Sequence, residues 1–345
     1  MQTEIQTQPT PAAILQIGTG FWASKTLLTA VNMNLFTLLA KGEKSGQDIQ
    51  TKLNLHNRSL YDFLDALVAL GFLNRTGIKE TAVYRNTIET DLFLDKNKPS
   101  YIGGILEMSN NRLFSFWNDL EDGLKTGLPQ NETKNNGQSP FELIYADPAK
   151  LSEFIHAMAG VQTGNFITFS KKFDFSNYKT LCDIGGCGGH FSAHIAMNNP
   201  HIHCTSFDLP PVEPIAKDII NVMNLSDSIT LASGDFFADD FPKADIITMN
   251  NILHDWGEQD KLKLIEKAYK ALPDGGALVV IENIIDDARS KNAFGLLMSL
   301  NMMIETEKGF DFTFEDFNRW AKKVGFSSTT LMPLVGPASA AIAYK

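Results

Sequence analysis

Apolar positions along this chain follow two different periods, and the change from one to the other divides it. Over residues 12–75 large apolar side chains recur at helical spacing, beginning with Phe21, Leu27, Leu28, Val31, Leu35, Leu38 and Leu39. Helices are predicted next over Ser45–Leu53 and Ser59–Leu70, the second closing on a glycine cap at Gly71. The short runs Gly71–Arg75 and Ala82–Arg85 then predict a hairpin, so helices plus hairpin outline a winged-helix-like unit. Residues 101–124 predict a further helix rich in aromatics (Tyr101, Phe114, Phe116, Trp117). A polar, Asn-rich stretch over Pro129–Gly137 predicts a solvated loop, and residues 148–173 a long helix carrying Phe154, Met158 and Phe166. Phe21, Trp22 and Trp117 are expected in the core.

From about Tyr178 short apolar runs alternate with helical stretches. Strands are predicted at Thr180–Ile184, His203–Asp208, Ile229–Gly234, Ala244–Met249, Gly276–Glu282, Thr329–Leu334 and Ala338–Tyr344, with helices between them including Asp260–Ala271 and Thr313–Val324. This alternation predicts an α/β sheet, mostly parallel and covered on both faces. Only Val335-Gly336-Pro337 separates the last two strands, which makes them an antiparallel hairpin.

With 345 residues the chain exceeds one comfortable core. Two domains are expected: residues 1–165, mainly helical, and residues 166–345, carrying the sheet. A net charge of −10 argues against a nucleic-acid surface. Residues 41–90 hold seven Lys/Arg against six Asp/Glu, so the winged-helix outline has no basic stripe and dimerisation is the expected role. The three cysteines lack C-x-x-C spacing and suit a reducing cytoplasm. The polar opening MQTEIQTQPTP has no signal-peptide character, and no apolar run approaches a membrane span.

Candidate chemistry sits where the predicted strands end, the place where open α/β sheets bind ligands. After the first strand comes Asp183-Ile184-Gly185-Gly186-Cys187-Gly188-Gly189, four glycines within five positions. Such a loop lets a ligand approach the main chain at a helix N-terminus. The second strand ends on Asp208, a carboxylate suited to ribose hydroxyls. The third leads into Gly234-Asp235-Phe236-Phe237, which offers an acceptor for an amine and a ring for a flat base. The fourth enters Asn250-Asn251-Ile252-Leu253-His254-Asp255-Trp256, and the fifth ends on Glu282. A glycine loop followed by an acid also fits dinucleotide binding, but the G-x-G-x-x-G spacing is not met.

Four segments together carry a resemblance: the Asp-x-Gly-Gly-x-x-Gly loop, Gly234-Asp235-Phe236-Phe237, Leu253-His254-Asp255-Trp256, and Leu272-Pro273-Asp274-Gly275-Gly276. The chain resembles the S-adenosylmethionine-dependent small-molecule O-methyltransferases, a family that includes caffeate, isoflavone and acetylserotonin methyltransferases and bacterial polyketide-modifying enzymes. The likeness spans essentially the whole sequence. It implies a Rossmann-like methyltransferase sheet with a terminal antiparallel hairpin, and an N-terminal helical, winged-helix-like domain that forms a homodimer. It implies S-adenosylmethionine as cofactor, with Gly185 at its methionine part, Asp208 at the ribose, and Asp235 with Phe236 at the adenine. His254 is implied as general base with Glu282 orienting its ring. A second acid, normally in a Gly-x-Glu-Arg-Thr segment, falls on Asp311 of Gly309-Phe310-Asp311-Phe312-Thr313. Helical spacing puts Asn301, Met302 and Thr306 on the substrate wall, and Met158 is expected there as well.

The chemistry agrees with those roles. A phenol with a pKa of about 10 is a poor nucleophile at neutral pH, and a neutral histidine can take its proton as transfer begins. A carboxylate at the far ring nitrogen fixes the tautomer. No metal is expected, on the ground that His254 lacks the carboxylate cluster that would hold Mg²⁺. The chain departs from the family at Cys187, usually glycine, at Asn250, a lysine in plant members, and at Asp311 and Phe312. The same scaffold also admits C- or N-methylation or a repurposed cofactor-binding relative, and the N-terminal half admits a dimeric regulator.

Overall fold

A computed structural model of the chain describes residues 9–134 and 140–345; the polar opening segment up to residue 8 and residues 135–137 of the expected loop lie outside the described residues. The chain divides into two compact units between Phe114 and Ser115. The boundary expected after residue 165 therefore falls inside the second unit. The reason is the helix Pro148–Lys172, which does not link two bodies. Its N-terminal half packs Leu151 and Ile155 against Val212 and Ala216, and its C-terminal half packs Phe166 and Phe169 against Phe191 and Leu181, so all of it belongs to the sheet unit.

In the first unit the helices Gly20–Asn32, Leu35–Leu39, Gly46–Leu53 and Leu60–Ala69 enclose Val31, Phe36, Ile49, Leu64 and Leu67. Strands β1 (Lys44–Ser45), β2 (Leu73–Thr76) and β3 (Val83–Asn86) form an antiparallel sheet in the order β1-β3-β2. Ser45 caps the helix Gly46–Leu53 by accepting the Asp48 amide at 3.1 Å. Phe21 and Trp22 depart from expectation: they are 54% and 65% exposed, because the buried stripe of their helix is formed by Leu28, Ala30 and Val31. The helix expected over 101–124 is present as an unbroken helical run over 103–126 that changes pitch: α-helical at Gly103–Met108, Phe114–Phe116 and Leu120–Thr126, with a π turn over Ser109–Leu113 and a 3-10 turn at Trp117–Asp119.

The second unit is built on strands β4 (Thr180–Ile184), β5 (His203–Asp208), β6 (Ile229–Ser233), β7 (Ile246–Asn250), β8 (Ala277–Glu282), β9 (Ser328–Pro333) and β10 (Ser339–Tyr344), within two residues of the predicted ends. Among the described residues they form one sheet in the order β6-β5-β4-β7-β8-β10-β9, with β4 to β8 parallel and β10 antiparallel to both β8 and β9. Every residue of β8 is buried, which is why Ala-Leu-Val-Val-Ile reads as an unbroken apolar run. Alternate residues serve opposite faces. Leu278 and Val280 pack with Leu264, Phe317 and Trp320, whereas Val279 and Ile281 pack with Phe166, Phe169 and Phe191. Sequence order reverses between β4 and β7, so the crevice at their carboxyl ends is the sheet's topological switch point.

The stretch expected as a solvated loop is instead tied down. Gln130 and Asn131 are buried; the Gln130 amide donates to the Ile304 carbonyl at 2.9 Å and Asn131 Nδ2 to the Glu305 carbonyl at 2.8 Å. Trp320 anchors the face behind β8, 2% exposed, with its indole N–H donated to Glu258 at 2.8 Å and its ring edge-on to Phe312. Trp320→Ala should destabilise the protein by about 3–5 kcal/mol, measured by reversible urea unfolding. A loss below about 1 kcal/mol would show that this packing contributes little.

Candidate active site

The glycine loop borders the switch-point crevice mainly with backbone. Gly185 (φ +69°) and Gly189 (φ +73°) adopt the left-handed conformation. A Cβ on Gly185 would lie 2.3 Å from the Ile252 side chain, and one on Gly186 would lie 2.2 Å from Ser206 Oγ. Cys187, between them in sequence, holds φ +52° without being glycine and stays strained. Its amide donates to Asp208 Oδ2 at 2.8 Å, while the Leu209 amide donates to Oδ1 at 2.7 Å and the Tyr145 hydroxyl to Oδ1 at 3.5 Å. Burial raises the Asp208 pKa to about 6 against these hydrogen bonds.

A cavity of about 530 Å³ opens beside this loop, within the range of a small-molecule site. Gly185, Asp208, Asp235, Phe236 and Met158 all line it, so five of the site residues predicted from sequence are brought together. Asp235 caps its own turn by accepting the Phe237 amide at 2.8 Å, and Phe236 meets Trp256 edge-on at 5.9 Å. Asp183 was not singled out from sequence. It is buried in the cavity wall, accepts from Thr248 Oγ1 at 2.7 Å and Asn250 Nδ2 at 2.8 Å, and burial raises its pKa to about 7. Tyr145, Phe141 and Gln162 complete the wall without any sequence signal, being supplied by helices distant from the loop in the chain. The buried amide oxygens of Asn250 and Asn251, which also line the cavity, have no hydrogen-bond partner within the protein.

Behind this wall lies a buried cluster of ionisable groups. After β7 a 3-10 turn over Leu253–Asp255 turns His254 inward and leaves Asp255 and Trp256 facing the cavity. His254 Nδ1 lies 3.5 Å from Glu282 Oε2 at the end of β8 and 3.5 Å from Asp311 Oδ1; Nε2 lies 3.7 Å from Asp255 Oδ1. The His254 main-chain N–H donates to Glu282 Oε1 at 3.3 Å. His254, Glu282 and Asp311 are 6%, 1% and 2% exposed. Burial alone would keep the ring neutral, but the charges of Glu282 and Asp255 and the Asp311 carboxylate outweigh it and raise its pKa to about 10. Burial likewise raises Glu282 to about 7 and Asp255 to about 6. The carboxylates therefore favour a proton on the ring.

Two expectations change here. His254 does stand among carboxylates, so the ground for expecting no metal fails: one atom each of His254, Glu282 and Asp311 lies within 4.8 Å of the others, close enough to surround a small cation. Positive charge is already present, however, in the buried ammonium of Lys261 beside the same carboxylates. Asn301 and Met302 do not line the cavity. Asn301 Oδ1 accepts the Trp117 indole N–H at 2.9 Å, and Met302 is buried, its carbonyl accepting from Thr306 Oγ1 at 2.7 Å.

Comparison with known proteins decides the family. A model of the O-methyltransferase domain matches residues 117–327, and one of the O-methyltransferase dimerisation domain matches residues 15–96. The chain belongs to the O-methyltransferase family. It is an enzyme of that class, and its first unit carries the family's dimerisation domain. It is 36% identical to the tetracenomycin polyketide synthesis 8-O-methyl transferase TcmO of Streptomyces glaucescens over 97% of each chain. It is 29% identical to the N,N-dimethyltransferase OxyT of Streptomyces rimosus, covering 91% of this chain and 90% of that one. The crystal structure of human N-acetylserotonin methyltransferase in complex with SAM superposes with a TM-score of 0.90 over 99% of both chains at 26% identity. In this O-methyltransferase no helix among the described residues is long and apolar enough to cross a membrane.

Proposed function

We propose that this O-methyltransferase methylates a hydroxyl group of a small aromatic or polyketide-like metabolite, with His254 as general base. S-adenosylmethionine is the cofactor, and when bound it supplies an electrophilic methyl group on sulfonium sulfur. The observation that carries the reading is the turn Leu253–Asp255, which sends Asp255 and Trp256 into the cavity wall and His254 into the carboxylate cluster. Cofactor and base thus meet at one turn.

The cavity's residues suit that cofactor. The loop brings main chain to the cavity wall at Gly185 and Gly186, where Cβ atoms would collide with Ile252 and Ser206, Asp208 has acceptor capacity beyond its two loop amides, and Asp235 and Phe236 supply an acceptor and a ring. The chain's part in catalysis is alignment and proton removal. Holding acceptor oxygen and methyl in line supplies much of the barrier reduction. Nδ1 of His254, set between Glu282 and Asp311, keeps its proton, which leaves Nε2 to receive the acceptor's proton beside Asp255. The three carboxylates stabilise the imidazolium that results.

This reading has a pH signature. A ring whose pKa is raised is mostly protonated at neutral pH, so the free base is the minor form. Log kcat/KM should rise with pH at a slope near one through neutrality, as the cluster loses its proton. Asp311→Asn removes one of the charges that raise the ring's pKa, so the rising limb should move to lower pH. A flat profile between about pH 6 and 8 with an acceptor that stays un-ionised there would contradict the assignment.

The same reading makes the enzyme a cytoplasmic homodimer. Ile14, Ile17, Phe21 and Trp22, more than half exposed on the helices Ala12–Gly18 and Gly20–Asn32, support a second copy as their cover. Free thiols at Cys182, Cys187 and Cys204 support a reducing compartment. Sedimentation of the purified protein tests the dimer. Methylation at nitrogen is the second reading, favoured by the likeness to an N,N-dimethyltransferase. Incubation with methyl-labelled cofactor and matched phenol and aniline acceptors separates the two.

A further inference from the structure

We propose that Lys261 is a positioning residue for the base, joining the segment that carries His254 to the segment that carries Asp311 and holding a positive charge beneath their carboxylates. The proposal rests on the reading of His254 as base. Lys261 lies near the start of the helix Glu258–Ala271 and is fully buried, an uncommon state for a lysine. Its Nζ donates to the carbonyl of Trp256, two residues after His254, and to the carbonyl of Phe310, one residue before Asp311, the latter at 2.9 Å. The ammonium also sits 3.5 Å from the centre of the Phe310 ring, and the Phe312 ring lies 5.7 Å away. One cation therefore ties together the two backbone segments that hold the base and its orienting acid.

The two segments touch closely at that point. A Cβ on Gly309 would lie 2.6 Å from the His254 carbonyl oxygen and 2.8 Å from that of Asp255. The gap is closed on one side by glycine and on the other by the lysine. The charges acting on Lys261 are the carboxylates of Glu282 on β8, Asp311, Asp255 and Glu258. Glu258 is also met by the exposed Arg319 at 3.5 Å. Burial lowers the Lys261 pKa to about 8, while these carboxylates oppose the change, so the group remains mostly an ammonium at neutral pH. Without it, three buried carboxylates would face one imidazole. Loss of the ammonium would make the cluster hold its proton more tightly and would free the Asp311 segment to drift from His254.

Two substitutions separate the tie from the charge. Lys261→Met keeps the length of the stem, and Lys261→Gln keeps a donor without the charge. Lys261 does not line the cofactor cavity, so S-adenosylhomocysteine should bind both variants with wild-type affinity by calorimetry. That binding also certifies the fold. We expect kcat to fall roughly 10- to 100-fold in Lys261→Met, as for a small misplacement of reacting groups. The His254 ring, followed by NMR titration of the enzyme without substrate, should titrate about one pH unit higher or more in both variants. Unchanged His254 titration together with wild-type kcat in a variant that binds S-adenosylhomocysteine would overturn the proposal. So would equal losses of binding and kcat with unmoved titration, since the lysine would then serve the fold alone. If Lys261→Met fails to fold, Lys261→Gln carries the same two readouts. Failure of the base reading is seen separately, as a His254→Gln enzyme that keeps its activity.

Discussion

His254→Gln should lower kcat for a phenolic acceptor by roughly 10²- to 10⁴-fold while leaving S-adenosylhomocysteine binding unchanged. Glutamine is the informative replacement. Its amide can still face Glu282 and Asp311, whereas alanine would remove the ring that these two buried carboxylates face and destabilise the fold as well. Binding should survive because His254 is not part of the cavity wall; Asp255 and Trp256 are. The size of the loss should depend on the acceptor. A phenol acidic enough to be ionised at the assay pH needs no base, so the variant should recover most of its rate with nitro-substituted phenols. Uniform loss across phenols of different acidity would instead point to a role in orientation. Retention of kcat within threefold would remove His254 from the mechanism.

Asp208→Ala should weaken binding of the cofactor or its demethylated product by roughly 100-fold or more. The carboxylate accepts the Cys187 and Leu209 amides, and its remaining acceptor capacity faces the cavity. Two charge-assisted hydrogen bonds to a ligand, at about 1.5–3 kcal/mol each, account for a loss of that size. The deletion also releases the Cys187 amide, whose residue is held at φ +52° in a loop otherwise made of glycines. Calorimetry should therefore show a lower affinity, with kcat at saturating cofactor reduced far less than in His254→Gln. An affinity within about threefold of wild type would contradict the ribose-side assignment.

Much of this architecture is readable in the sequence, and the reasons are local. Strands such as β8 announce themselves because burial on both faces demands an unbroken apolar run, and the loop at Gly185–Gly189 because the left-handed backbone at Gly185 and Gly189 favours glycine. Elements whose fate depends on a distant cover are less legible. Periodicity marks a face for Phe21 and Trp22, yet nothing in a helix's own residues says whether that face is buried. The Asn-rich stretch around Gln130 looked solvated because its carbonyl partners, Ile304 and Glu305, lie in another helix. Domain limits failed for the same reason at the helix Pro148–Lys172, which is tied along its length to residues far on in the chain.

The site divides in the same way. Asp208, Asp235, Phe236 and His254 sit at strand ends, where position alone nominates them. Glu282 also ends a strand, but its role beside the ring, like the choice of Asp311, follows from the family likeness, and the structure adds the 3.5 Å distances that make both His254's neighbours. Asn301 and Met302 were nominated by helical spacing, but one is held by Trp117 and the other is buried. Lys261 carried no signal at all, since a lysine in an amphipathic helix reads as surface until its burial is seen.

The central claim, transfer of a methyl group to oxygen with His254 as base, is tested most directly by one labelling experiment. The enzyme and its His254→Gln variant are incubated with ¹³C-methyl-labelled S-adenosylmethionine and a panel of hydroxylated aromatic acceptors, and the labelled product is read by NMR. An O-methyl resonance should form with the wild-type enzyme and be lost or sharply reduced with the variant. Label appearing on carbon or nitrogen, or an O-methyl product formed equally well without His254, would contradict it.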